Sequence, residues 1–185
     1  MQNLYISMYH YTRDIVHSRY PEIKGLDQPL FRQQLEFMKE NFNIVTMEQV
    51  MDAVEKKCKL PEKALLLTFD DGYVDNYTYA MPLLEEFGVQ GSFFIPGKTF
   101  ATHQLLDVNK IHYMLACADI YKLVDDVKEK MEFYRGREFD FPETEELWNQ
   151  YAVANRWDCK ETIFVKRMLQ TVLPERLRNQ ISSDL

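Results

Sequence analysis

The chain has 185 residues, 46% of them hydrophobic and 28% charged, and a formal net charge of -7 at pH 7. That length suits one good-sized domain with its own core but falls short of the ~250 residues of a complete (β/α)8 barrel, and the composition excludes fibrous and wholly disordered classes. The acidic balance, with basic residues scattered singly or in pairs, argues against a nucleic-acid partner, and no apolar run approaches the ~18 residues of a membrane span.

Leu4 to Tyr11 (LYISMYHY) is rich in aromatic and β-favouring residues and reads as a strand, followed by a loop punctuated by Pro21, Gly25 and Pro29. From Leu30 to Phe42 (LFRQQLEFMKENF), apolar residues recur at helical spacing. A short strand, NIVT, and a helix, MEQVMDAVEKKC, come next, with Thr46 as N-cap and Gln49 as its capping-box partner. The run KALLLTF is continuously apolar, as a parallel strand covered on both faces would be. A helix follows that is expected to kink or restart at Pro82 and to stop at Gly88, and QGSFFIPG supplies a fourth strand. This alternation is the signature of βα units.

From Leu105 onward the pattern changes to successive amphipathic helices, broken near Gly136 to Pro142, Asp158 and Pro174. The expected fold class is therefore α/β. Residues 1–104 read as an incomplete parallel barrel-like unit, and residues 105–185 as a helical insertion or subdomain. The last helix carries a stripe of Leu177, Ile181 and Leu185 that stops without a cap, so the chain is expected to be the front part of a longer domain. Four strands cannot close a barrel, and their open edges leave room for a homodimer. Three cysteines, Cys58, Cys117 and Cys159, are odd in number and widely spaced, which argues against a disulfide framework and for reduced thiols. The first twenty residues have no basic start followed by an apolar core, so a cytoplasmic location is expected.

The chemistry concentrates at the end of the KALLLTF strand. There Asp70 and Asp71 stand side by side ahead of Gly72, at the strand rim where parallel sheets bind ligands. Two adjacent carboxylates repel, so if both enter one cleft, either one holds a proton or a cation lies beside them, and oxygen and imidazole ligands suit zinc or another divalent ion. Such a pair can divide labour, one binding metal and the other acting as base for an activated water. As a bare dipeptide the pair would equally serve as a turn and helix cap.

The full string TFDDGY, after an apolar strand and ahead of a helix, a strand and GSFFIPG, resembles the first motif of the polysaccharide deacetylase family, the NodB homology domain. The likeness covers roughly residues 4 to 97, including MYHY and the F-x-x-Q-L pattern from Phe31 to Leu35. It implies a distorted (β/α)7 barrel and metal-dependent hydrolysis of an N-acetyl group on a sugar or polysaccharide. Asp70 matches the family's catalytic base and Asp71 its metal-ligating aspartate, with Thr68, Phe69 and Gly72 as supports. The family's H-[ST]-x-x-H string, which completes its metal site, is absent from this chain, so an incomplete zinc site and low or no activity are expected. Among the histidines, His10 lies near the first strand's end, as a buried, hydrogen-bonded residue or a pocket residue. His17, His103 and His112 read as surface, loop and helix-face residues. Tyr9, Tyr11, Tyr73, Phe93 and Phe94 are available to stack on sugar rings or to pack the core. The competing reading is a non-catalytic carbohydrate-binding or assembly module.

Overall fold

Strand β1 (Leu4–Tyr9) opens the chain, which a computed structural model describes over residues 3–185. Two very short strands, β2 (Thr12–Arg13) and β3 (Leu26–Asp27), pair with each other in parallel apart from the main sheet. Helix α1 (Gln28–Asn41) begins ahead of its apolar stripe, with Pro29 in the first turn, where a missing N–H leaves no bond unmade. Strand β4 (Asn43–Val45) and helix α2 (Met47–Val54) follow. The capping box closes: the Gln49 backbone N–H donates to Thr46 Oγ1 at 3.3 Å and the Thr46 N–H donates to Gln49 Oε1 at 2.9 Å. Thr46→Ala is expected to lower stability by ~1 kcal/mol, read as a lower urea midpoint at unchanged slope.

Strand β5 (Ala64–Asp70) is the hub of the sheet, since β1, β4 and β6 (Gly91–Phe94) each pair with it, all in parallel. Residues Ala64 to Phe69 are buried, as a continuous apolar strand requires. The strand runs one residue beyond that apolar stretch, because Asp70 still pairs with Phe94. Leu65, Leu67 and Phe69 pack with Phe31 and Leu35 of α1 and with Leu83 and Leu84 of α3 (Met81–Phe87). Ala64 and Leu66 turn the other way, onto Val45 and Val50. Alternation places Thr68 and Asp70 on this second face. Its β1 members, Ile6 and Met8, are each 61% exposed, so the face is covered beneath α2 and open beside the rim.

Between β5 and α3 the chain forms a π-helical turn, Asn76–Ala80, in which the Met81 N–H reaches back to Asn76 O. Pro82 lies just beyond. Its ring cannot pack against the carbonyl one α-turn earlier, and the wider π turn relieves that conflict. Gly88 ends α3 in the left-handed region, at φ 64°. A short exposed helix, α4 (Gly97–Thr102), completes the first of two compact units, which ends at Thr102.

The second unit, His103–Leu185, is built from α5 (Asp107–Cys117), α6 (Ile120–Tyr134), α7 (Thr144–Tyr151), α8 (Lys160–Arg167) and α9 (Glu175–Asp184). Its core includes Val127, Met131, Phe164, Val165, Leu177 and Ile181, the inward stripes of α6, α8 and α9. Asp119 caps α6 by accepting from the N–H groups of Tyr121 and Lys122. A second π turn, Met168–Val172, again stands two residues ahead of a proline, Pro174. Cys58, Cys117 and Cys159 are all unpaired and exposed, so none is a packing thiol. Among the described residues no helix is long and apolar enough to cross a membrane.

Candidate functional site

β5 delivers Asp70 to the C-terminal rim, and the chain turns back at once. Asp71 and Gly72 both take the left-handed conformation, with φ 70° and 64°. Glycine does this freely and aspartate at modest cost, most readily ahead of a glycine in a tight turn. The Asp71 carboxylate is held by Tyr73, whose hydroxyl donates to Asp71 Oδ2 at 2.7 Å. The Tyr73 ring stacks on Tyr11 with centroids 4.2 Å apart. Burial first, then bonding with the Tyr11 side chain and the Asp71 carboxylate, pushes the Tyr73 phenol well above its ordinary range. It therefore stays protonated and remains a donor across the physiological range.

Asp70 and Asp71 line one open hollow of about 580 Å³, walled by Phe93, Phe94, Ile95 and Pro96. Gly72 lets that wall approach. A Cβ there would stand 2.9 Å from Ile95 Cγ2 on a backbone that already disfavours side chains. Gly72→Ala is expected to destabilise by more than ~1 kcal/mol, read by thermal unfolding, and to displace Ile95 from the hollow's wall.

The other candidates are distributed over both units. Thr68 is buried, in register with Met8 and Ser92. His10 follows β1 in a bend at the same rim, because Tyr9 is paired with Phe69; it is exposed and does not line the hollow. His17 is exposed and its Nδ1 lies 2.9 Å from Asp14 Oδ1. His103 is an exposed residue and His112 a half-buried one on α5. Tyr9 is a core ring stacked on Phe69 at 5.1 Å; Phe93 stacks on Phe69 at 4.9 Å yet is 37% exposed, and Phe94, beside Asp70, is 50% exposed. Of the aromatic candidates, Phe93 and Phe94 are exposed at the hollow, Phe94 the more so.

The divalent ion implied by the motif finds only part of a site here. Among the described residues no group of three or more histidine, cysteine, aspartate or glutamate side chains converges. The two rim carboxylates alone do not fit a resident ion, which ordinarily takes three or four protein donors in a catalytic zinc site. What they can do unaided is accept a proton and orient polar groups of a ligand.

Two residues with no motif around them complete the rim. Arg13 Nε donates to Asp75 Oδ2 at 2.7 Å, and its Nη2 lies 2.6 Å from the same oxygen, both side chains being nearly buried. The pair spans 62 positions of sequence.

Residues 57–131 match the polysaccharide deacetylase family. Over that region the chain is similar to the polysaccharide deacetylases. YxkH of Bacillus subtilis, named after that family, is 33% identical over 70 residues, which cover 37% of this chain and 25% of YxkH. The poly-beta-1,6-N-acetyl-D-glucosamine N-deacetylase of Escherichia coli is 42% identical over 57 residues, or 30% of this chain and 8% of the enzyme. A solved de-N-acetylase from Aggregatibacter actinomycetemcomitans superposes with a TM-score of 0.47 at 28% identity, covering 56% of this chain and 42% of that one. The chain thus spans a quarter or less of the curated relatives it matches. The deacetylase-related stretch contains β5, both rim aspartates and the wall of the hollow.

Proposed function

We propose that the deacetylase-related unit serves an N-deacetylase acting on N-acetylated sugar or polysaccharide, with Asp70 as the base and Asp71 as the carboxylate that orients the reacting group. The observation that carries this reading is the placement of both aspartates at one open hollow, at the C-terminal end of the central strand of a parallel sheet. The name of the Escherichia coli relative suggests poly-N-acetylglucosamine as the substrate class. In the proposed reaction Asp70 takes a proton from water as its oxygen attacks the acetamide carbonyl. The C–N bond then breaks, the amine leaves with a proton, and acetate is released. Phe94 offers its exposed face to the apolar side of a sugar ring.

The architecture we infer is the front of a NodB-type barrel, with residues 105–185 as a helical insertion. Metal dependence belongs to the same reading: Asp71 supplies one carboxylate, and further donors would have to come from outside the described residues. Incubation with β-1,6-linked N-acetylglucosamine oligomers, with and without added zinc, tests the reading by mass loss of one acetyl group per event. Measurable acetate release supports it. Saturable oligomer binding with no release under either condition would favour the second reading, a carbohydrate-binding module, which the apolar walling of the hollow also suits. We further propose the cytoplasm as the compartment, consistent with exposed, unpaired cysteines.

A further inference from the structure

The segment Tyr11–Arg13 grips the stretch from the Asp71 turn to the start of the following helix at two points. At one, Arg13 is locked on Asp75 Oδ2 through Nε and Nη2. At the other, the Tyr11 ring is stacked on Tyr73, interplanar angle 24°, and Tyr73 donates to Asp71 Oδ2. Tyr11 joins the two points, because the Arg13 guanidinium stands 4.9 Å from its ring centroid. The gripping segment is itself anchored, since Thr12 and Arg13 pair with Leu26 and Asp27, and the Leu26 N–H donates to Tyr11 O at 2.9 Å.

What such a grip supplies is direction to the side chain. Asp-Gly readily takes two consecutive left-handed residues, but that backbone alone does not fix where the Asp71 carboxylate points. A buried ion pair is in itself weak evidence for stability, because well-packed apolar residues often do as well. A planar guanidinium fork that both binds a carboxylate and stacks on a ring does what apolar packing cannot: it fixes direction.

We propose that Arg13 is a positioning residue for the rim carboxylates, acting through Asp75 and the Tyr11–Tyr73 stack to fix the orientation of Asp71. The proposal rests on the deacetylase reading for its catalytic consequence and on geometry alone for the positioning. The test uses the full chain with ¹³C-labelled aspartate carboxyls at one fixed pH. Tyr73→Phe, which removes the hydroxyl and keeps the ring, defines the displacement of the Asp71 carboxyl resonance when its partner is lost. Arg13→Gln is expected to displace that resonance in the same direction, and Tyr73→Phe combined with Arg13→Gln to move it little further than Tyr73→Phe alone. Arg13→Lys keeps the charge without the fork and decides the matter where Gln is not tolerated. An Asp71 resonance that stays at its wild-type position in the Arg13 variants overturns the proposal, even if their melting temperature falls, because that is the behaviour of a purely structural ion pair. If the wild-type chain releases acetate, the Arg13 variants are expected to lose up to roughly a hundredfold in kcat with little change in KM. Absence of acetate release from the wild type, together with displaced resonances, would overturn the deacetylase reading and leave the positioning role standing.

Discussion

Asp70→Asn is expected to lower whatever kcat the chain shows for acetate release by roughly 10²–10⁴-fold, the usual worth of a positioned general base, while leaving the melting temperature close to that of the parent chain. The substitution is nearly isosteric, and the backbone of Asp70 remains paired with Phe94 at the end of β5. The lost property is therefore basicity at the hollow. Initial rates on N-acetylglucosamine oligomers, with a circular-dichroism melt on the same sample, make the comparison. Equal rates for the two chains would remove Asp70 from the reaction.

The second large effect concerns stability. Phe69 is fully buried one residue before the rim, stacked between Tyr9 and Phe93 and set edge-on to Phe31 at 6.0 Å. Phe69→Ala would remove a ring from a site walled by other rings, which cannot collapse easily into the space. A loss of ~3–5 kcal/mol is expected. That is a large part of the ~5–15 kcal/mol typical of a domain, so much of the N-terminal unit should be unfolded well below the parent's urea midpoint. Urea denaturation followed by tyrosine fluorescence measures this. A shift smaller than that of Thr46→Ala would mean that the cluster is not the core of the unit.

Much of the architecture was legible because its signals are local. The continuous apolar stretch before Asp70 announces a doubly covered strand, and β5 is the strand onto which all others of the main sheet pair. Thr46 and Gln49 spell a capping box within four residues, and it is closed. The five long helices of the second unit follow from apolar stripes. What the sequence does not display is either short or distant. β2 and β3 are two residues each and have no period to read. α4 buries nothing, so no stripe marks it. Pro82 marks a break, while the choice of a π turn over a kink depends on packing around Asn76 and Ala80, both buried.

At the site, the adjacent aspartates and the glycine are visible as a motif, and the exposed wall residue Phe94 follows from its strand. His10 looks equivalent in sequence, at the end of its own strand, yet lies exposed in a bend outside the hollow's lining. The Arg13–Asp75 lock carries no local signature, since its two halves meet only when β1 and β5 lie side by side. The nearest hint is an aspartate four residues beyond Asp71, at the start of the helix, and an arginine four beyond Tyr9, neither marked by its sequence neighbours.

The most direct measurement is a titration of the ¹³C,¹⁵N-labelled chain with a β-1,6-linked N-acetylglucosamine oligomer, following aspartate carboxyl and backbone amide resonances together. Saturable shifts are expected at Asp70 and Asp71 and at the amides of Phe94 and Ile95, with the helical residues of the second unit unmoved. Shifts confined to other parts of the chain, or none at an oligomer concentration that saturates a family deacetylase, would contradict the claim that this rim receives the substrate.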